Sequence, residues 1–579
     1  MKWTCATFLA LNVASLAAQQ PRRPLDAAAI DNIARLEMLE DYRTFDDTAL
    51  ARLLVDSHPE VRRRAAITVG RLADKRGLRL LTARPLDPDT AIAAAVVFAV
   101  GQLRDTAAIA WLDSLLRAPD TAPTVAAETA ISLGKIENAI ATARGTTTRG
   151  RDALARYLMA TPANPFTEAA ISEALLSTGR AAVRGDLAPI LHWTTTRHAD
   201  IRWAATWALA RLKDPRGVAA LLTLAHDPIA LIRSWAVRGL ARPAADSAAL
   251  VVPAEAALLA ATRDADRTVR TEAVRALGTY SDSAAVKLLL KSLRSSDSWI
   301  ATSAAEELGV VRPAEAISAL AAATAKGKPC ALREMARRSL QAMSQDTAHA
   351  SSRVAARDAA LSAAVAMTTD ATPFCHTAAL QALRRARDLP QAGTPLRTSI
   401  DSLLGAVPAA TTSPRQAPAA LTRTLADYRA IVERWIVPDY DGKPRPVVHW
   451  DTPRGPIEME LYPGDAPLAV DDMVRRVESG AMVGTQFTRV VPDFVDQQET
   501  VHGGSRIRDE VNRHGLTRGN LAWATAGLDT GNPGYTLGHT PQPHNEGSFT
   551  SLGRVIAGME AMDHIELGDW IVAAHMQYR

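Results

Sequence analysis

Apolar and small residues recur along the first two thirds of the chain at helical spacing, and the recurrence keeps one phase. In residues 56–72 a capping Asp56 is followed by Val61, Arg62, Ala65, Ala66, Gly70 and Leu72. The same order returns in residues 264–278 as Asp264, Val269, Arg270, Ala273, Ala276, Leu277 and Gly278. Further copies occupy 92–101, 125–134, 170–179, 201–210, 232–241 and 300–309, with weaker ones starting at Leu332 and near Cys375. First aliphatic and last small position are nine residues apart in each full copy, and neighbouring copies mostly start 31 to 37 residues apart. An Asp to cap, one apolar stripe and a Gly to stop the helix predict units of two helices. Such a unit cannot bury both of its faces alone, so the copies must stack into an all-α solenoid.

The periodicity ends at residues 408–418, which are rich in Pro, Ala and Thr and read as a linker. A short amphipathic helix follows over 421–435. From about Pro446 the Ala-rich helices give way to frequent Gly and to alternation of apolar with polar residues. Residues 447–452 and 456–461 predict two strands joined at Pro453-Arg454-Gly455, a hairpin signal. A helix is expected over 469–479, closed by Gly480, and further strands over 485–491, 520–526 and 548–556. Many short strands with one or two helices in about 130 residues suggest a small closed β-barrel.

Composition narrows the classes. Of 579 residues, 47% are hydrophobic and 22% charged, ordinary for a protein with a large core. Net charge is only +4, which implies no nucleic-acid partner. No internal run approaches the 18 apolar residues of a spanning helix, so no integral membrane segment is expected. Three cysteines exclude a disulfide scaffold and a four-thiolate zinc site. At the N-terminus, Lys2, an apolar run over 3–16 and Ser15-Leu16-Ala17 form a signal-peptide pattern, so export to the periplasm or medium is expected. In an oxidising compartment Cys330 and Cys375 have two readings, a disulfide or a pair of buried small apolar side chains, and the second is the simpler. The repeated Arg62, Arg202, Arg233 and Arg270 are read as partners of a neighbouring unit's turn, not as a basic ridge. Trp203, Trp207 and Trp235 are read as core between units.

The aspartate-x-x-x-valine-arginine start of the copies resembles HEAT-type repeats, which implies a surface that holds a protein partner. In the C-terminal region, residues 452–467 resemble the opening hairpin of the cyclophilins. Gly484-Thr-Gln-Phe487-Thr-Arg489-Val-Val-Pro492-Asp-Phe494-Val495-Asp-Gln497 is similar to that family's active-site strand and turn. Residues 507–512, 518–527, 539–547 and 552–559 resemble its later blocks in the right order. The resemblance divides the chain into a signal peptide (1–20), a HEAT-like α-solenoid (26–405), a Pro/Ala-rich linker with a short helix (406–445) and a cyclophilin-like closed β-barrel with flanking helices (446–579).

That resemblance implies cis/trans isomerisation of the bond preceding proline, which needs no nucleophile, metal or cofactor. The bond is an amide with a rotation barrier of about 18–20 kcal/mol. A fixed donor near the prolyl nitrogen weakens its conjugation with the carbonyl, and a guanidinium keeps its charge and its donors at every relevant pH. By resemblance Arg489 is the donor, Phe494 part of the proline wall and Gln497 a partner of the peptide backbone. Phe487, Val495, Ala524, Thr525, Thr536, His544 and Phe549 are the matching substrate-binding positions. Several departures bear on activity. The family's Gln-Gly-Gly-Asp turn is Gln497-Gln498-Glu499-Thr500 here, and its Ser-Gln-Phe-Phe block is Pro533-Gly534-Tyr535-Thr536. Thr536 replaces an aromatic of the proline pocket, a loss of about 1.5–3 kcal/mol of apolar contact. His544 stands where many members have Trp, and Phe549 where they have His or Tyr. Two functions follow: an exported isomerase that assists folding of proline-containing clients, with the array as an interaction scaffold, or a scaffold that grips proline peptides without turnover. His502, His514, His539 and His544 have no spacing that suits a metal.

Overall fold

The computed structural model describes residues 22–242, 248–345, 350–388, 394–405, 422–498, 508–525, 527–530 and 534–578. The signal peptide at 1–20 and most of the linker at 406–421 lie outside the described residues. Among the described residues no helix is long and apolar enough to cross a membrane.

The repeat copies become a row of helices: Ala27–Asp41, Pro59–Leu72, Thr90–Gln102, Pro123–Arg144, Glu168–Arg180, Ala199–Leu212, Ala230–Gly239, Arg267–Leu277, Ser298–Val311 and Cys330–Met343. Each packs on the next, and shorter helices between them cover the other side. Capping follows the sequence signal: Asp89, Asp266 and Asp297 accept from backbone N–H groups at the starts of their helices. The repeated arginines tie units together. Arg62 donates to the Asp56 carbonyl of its own turn (3.0 Å) and to Asp87 of the next (2.8 Å). Arg233 does the same with the Asp227 carbonyl (2.8 Å) and Asp264 (2.9 Å). Arg202 bridges the Thr196 carbonyl and Asp227. Five donors on one planar group allow both contacts at once.

Gly278 follows the last residue of its helix as expected, but other recurring glycines differ from that role. Gly70 and Gly134 lie inside helices, and Ala73, in left-handed conformation (φ 56°), ends the helix that holds Gly70. A Cβ on Gly70 would sit 2.6 Å from Ala99 Cα, and one on Gly134 would sit 2.5 Å from Ser177 Cβ. The glycines are there to let adjacent helices approach, and the helix stop is a separate matter. A disulfide joins Cys330 to Cys375 across two neighbouring helices with a Cα separation of 5.9 Å, so the structure takes the alternative to two separate apolar side chains.

Two hydrophobic cores, one helical and one in the C-terminal domain, are bridged by the helical segment that follows the linker. This runs as Leu425–Ile431, a π-helical turn Val432–Ile436 and Val437–Tyr440. Tyr428, Val432 and Ile436 are buried in the array core, while Trp435 is buried in the other. The C-terminal domain is one antiparallel sheet of eight strands: β1 Val447–Thr452, β2 Gly455–Leu461, β3 Phe487–Val491, β4 Val495–Gln498, β5 Asn520–Trp523, β6 Tyr535–Gly538, β7 Ser551–Ala557 and β8 Ala573–Gln577. Their order is β3-β4-β6-β5-β7-β2-β1-β8. The sheet curls until its ends meet, where Phe487 N–H donates to the Asp569 carbonyl (2.8 Å) and Ile571 N–H to the Thr485 carbonyl (3.0 Å). The helix Pro467–Glu478 packs on the curled sheet.

The C-terminal domain docks on the array. Helix after helix reaches it, mostly through arginines that donate to backbone carbonyls. Arg64 donates to Gly464 (2.8 Å), and Arg71 to Val511 (2.9 Å) and Asp465 (2.6 Å). Arg180 reaches Pro543 (2.8 Å), Arg267 reaches Asp563 (2.8 Å) and Arg275 reaches Pro492 (3.2 Å). In the opposite direction the buried Arg508 inserts between Glu37 and Glu40 of the first helix and Glu510.

If Gly70 served only to end its helix, Gly70→Ala would stabilise, since Ala is the better helix former by about 0.8–1 kcal/mol. Close packing reverses the sign: the substitution is expected to destabilise by about 1–3 kcal/mol, read as a lower melting temperature in calorimetry.

Candidate active site

The candidate residues gather on the β3–β4–β6 edge of the sheet. Register places Arg489 opposite Gln497, Gln497 opposite Thr536 and Thr536 opposite Ala522, one row across β3, β4, β6 and β5. The turn between β3 and β4 carries Phe494. It is a tight one: Asp493 adopts the left-handed region (φ 53°), which Asp tolerates better than most residues, and Phe494 N–H returns to the Val491 carbonyl at 3.0 Å. Neighbours fix it from both sides. The Phe494 carbonyl accepts from His539 N–H (3.0 Å) and Gln542 Nε2 (3.0 Å), while Arg275 of the array holds the Pro492 carbonyl.

Arg489 is exposed at its strand and its guanidinium carbon stands 5.6 Å from the centroid of the half-buried Phe494 ring. Among the described residues the guanidinium has no hydrogen bond and no ion pair. Partial burial lowers its pKa somewhat, which leaves a cation with all of its donors free. The Phe494 ring also lies near-parallel to His544, with centroids 6.2 Å apart and planes at 18°. His544 in turn lies near-parallel to Trp207 of the array (6.3 Å, 24°). Burial, then Arg211, Arg238 and Arg180, push the His544 pKa down to about 4, so this imidazole is neutral at pH 7.

Other candidates sit as follows. Thr536 is half-buried and its hydroxyl donates to the Ala522 carbonyl (3.3 Å), so it offers the site a methyl and no aromatic face. Ala524 and Thr525 follow β5, half-buried. Ala524 N–H is bonded to the Gly534 carbonyl (2.8 Å), and Thr525 Oγ1 lies 2.9 Å from Thr530 Oγ1. Val495 is almost fully buried, and Phe549 is half-buried without an aromatic contact among the described residues. Phe487 is a correction: it is 1% exposed and packs against Trp450 in the core (6.4 Å), out of a substrate's reach. The register shift between Phe487 and Arg489 breaks the alternation that would put both on one face. Glu499, Thr500 and Pro533, three of the departures seen in the sequence, lie outside the described residues. So do His502 and Ala526.

Sequence reasoning missed the support beneath this face. Asp496, between Val495 and Gln497 on β4, is fully buried and lies 2.9 Å from His539 Nε2, while His539 Nδ1 is 3.3 Å from Asp563. Trp299 of the array meets the same imidazole edge to face at 4.9 Å. Burial alone would lower the His539 pKa, but Asp496 and Asp563 outweigh it and raise it to about 9. Motif spacing cannot signal such a pair, because the partners come from three separate segments. Asp493 is also buried, and burial together with nearby Glu272 raises its pKa well above the carboxylate norm. Two surface depressions of about 360 Å³ each, one around Arg454 and Ala561 and one around Trp435 and Arg445, contain none of these groups.

A histidine whose folded pKa is raised contributes stability that is complete below its unfolded pKa and lost as pH rises through the folded one. The Asp496–His539–Asp563 group is therefore expected to lose stability as pH rises from 6.5 to past pH 9, although burial also raises the Asp496 pKa. Thermal unfolding across that range should show a smaller fall in melting temperature for His539→Gln than for the wild type.

Comparison with known proteins agrees with this geometry. Residues 447–575 match the family described as cyclophilin type peptidyl-prolyl cis-trans isomerase/CLD. Residues 255–341 match HEAT repeats, and 201–227 match the PBS lyase HEAT-like repeat. Peptidyl-prolyl cis-trans isomerase B of Bacillus subtilis is 38% identical over 121 residues, which are 20% of this chain and 85% of that protein. A peptidyl-prolyl cis-trans isomerase of Helicobacter pylori is 36% identical over 132 residues, 21% of this chain and 80% of its own length. One from Synechococcus elongatus is 34% identical over 110 residues, with 18% and 76% covered. The curled sheet with its free Arg489 over Phe494, and relatives matched over most of their length, place this chain in the cyclophilin-type peptidyl-prolyl cis-trans isomerases, with HEAT repeats joined to the isomerase domain.

Proposed function

We propose that the protein is an exported isomerase that turns the bond preceding proline in client polypeptides and so assists their folding. The observation that carries this reading is the unpaired Arg489 guanidinium above Phe494 and opposite Gln497. In the proposed reaction a proline ring lies against Phe494 while the Gln497 side chain holds the peptide backbone. Arg489 donates toward the prolyl nitrogen as that nitrogen turns pyramidal, so the amide loses conjugation and its barrier of about 18–20 kcal/mol falls. The bond then turns while the ends of the segment stay bound. The buried Asp496–His539 pair and the Arg275 contact hold the β3–β4 turn against the strain of that twist.

A second reading, a scaffold that binds proline segments without turnover, draws on Thr536 in place of an aromatic and on Gly534 in place of an amide side chain. Export draws on the N-terminal signal pattern and is compatible with a Cys330–Cys375 disulfide, which persists in oxidising compartments. Mass spectrometry of the protein from a secreting host should give a chain that begins near Ala18, and a chain retaining Met1 in the cytoplasm would refute export.

The decisive measurement is isomerisation of a proline tetrapeptide by the full-length chain, followed by NMR exchange. Arg489→Ala is expected to lower kcat/KM by about 10²–10³, the loss typical of one donor aimed at a transition state, with little change in melting temperature. Peptide binding without any rate above the uncatalysed one would favour the scaffold.

A further inference from the structure

Ala524 and Thr525, two of the substrate-binding positions implied by resemblance, lie just beyond the end of β5 at Trp523. The chain that follows them has no apolar anchor of its own. None of residues 524, 525 and 527–530 is buried, and Leu528 is 60% exposed. Polar contacts hold it instead. Thr525 Oγ1 lies 2.9 Å from Thr530 Oγ1, which donates to the Gly527 carbonyl (2.7 Å). Thr525 is thus placed through Thr530 and Gly527, and the next tie outward is Asp529.

Asp529 and Asp509 exchange a reciprocal pair of hydrogen bonds. Asp509 N–H donates to the Asp529 carboxylate (2.9 Å), and Asp529 N–H donates to the Asp509 carboxylate (2.7 Å). This brings two carboxylates together, and Asp509 is buried with its Oδ1 lacking a hydrogen-bond partner among the described residues. Like charges so placed repel unless a cation answers them. The cation comes from the array. Arg43 donates through Nε to one Asp529 oxygen (2.7 Å) and through Nη2 to the other, a bidentate pair, while Nη1 donates to the Arg71 carbonyl. Arg43 stands two residues past the first helix in the left-handed region (φ 50°), where Gly is the easier occupant. The strain of a side chain there is offset by two donations across the domain boundary.

We propose that Arg43 is a positioning residue of the isomerase: by neutralising the paired Asp509 and Asp529 carboxylates, it sets Ala524 and Thr525 where a client's backbone binds. This rests on the isomerase reading given above. Asp529 and Arg43 are the charged groups that face Asp509, since the adjacent Arg508 and Glu510 turn into the cluster with Glu37 and Glu40. Burial raises the Asp509 pKa to about 6, with the Asp529 charge adding to the rise and the Asp529 N–H and Arg43 opposing it. Without Arg43 the placed segment therefore needs a proton on Asp509, and its placement is lost as pH rises.

The test uses the full-length chain and a proline tetrapeptide, with kcat and KM separated by NMR exchange. At about pH 8, Arg43→Gln is expected to raise KM by about 5- to 20-fold and to change kcat by less than about 2-fold, since contacts to the peptide backbone act before and during the twist alike. A sample that is merely part-unfolded would lower kcat and leave KM as it was. Two rescues are specific to the charge argument. The KM ratio of variant to wild type should shrink toward 1 at about pH 5.5, and at about pH 8 Arg43→Gln combined with Asp509→Asn should recover most of the loss. Hydrogen exchange read by mass spectrometry should also be faster over 524–530 in Arg43→Gln than in the wild type. An unchanged KM, a raised KM that neither rescue reduces, or unchanged exchange over 524–530 would overturn the proposal. If the wild type turns over no peptide, the isomerase reading fails by itself. The peptide Kd by fluorescence anisotropy then replaces KM, and the same rescues and the exchange comparison decide the role of Arg43.

Discussion

Arginine side chains of the array that donate to backbone carbonyls of the sheet domain are the contacts on which the rest of this structure depends. Arg71, Arg180, Arg267 and Arg275 come from helices spread over two hundred residues of chain, yet each ends on a carbonyl of the same domain. Those carbonyls lie outside the strands, in turns and short helices, and a buried carbonyl without a donor costs about 1–3 kcal/mol. Charged donors with fixed geometry satisfy them and set the relative position of two independently cored bodies. Apolar packing adds to this at the bridge of Tyr428, Val432, Trp435 and Ile436, which belongs to both cores.

This seam takes charge deep into the protein. Arg508 lies among Glu37, Glu40 and Glu510, all nearly closed to solvent, and burial still raises the Glu510 pKa to about 7 despite the neighbouring Arg508. Removing one member would strand the others in a low dielectric, a cost of about 3–5 kcal/mol. Such a network favours one docking geometry over near alternatives, because few rotations keep every charge paired. The same principle works on a small scale beneath the candidate face, where His539 sits between Asp496 and Asp563 and holds the Phe494 carbonyl through its backbone N–H.

The candidate face is therefore held by the assembled chain and not by the sheet domain alone. Arg275 fastens the turn that presents Phe494, Trp299 covers His539, and Trp207 continues the stack beyond His544. A cyclophilin-type domain is ordinarily described by its own pocket. Here part of the support behind that face comes from the repeats.

Much of this was legible in the residues themselves. Period and phase of the apolar stripe forced an α-solenoid, since no other arrangement buries both faces of a two-helix unit, and the arginines of the repeat were rightly read as ties between units. Strands β1, β2, β3, β5 and β7 announced themselves by alternation. β4, β6 and β8 did not, and they exist through pairing with neighbouring strands. The row of Arg489, Gln497 and Thr536 follows from the register of β3, β4 and β6, which only the structure supplies. Other features were decided only in three dimensions. Whether a glycine ends a helix or admits the next one depends on what lies opposite, so Gly70 and Gly134 could not declare their role. Phe487 turned inward because of a bulge that no local pattern marks. The meeting of Trp207 with His544, and of Asp496 with His539, joins segments far apart in sequence, and contacts of that kind are fixed by how the two domains dock.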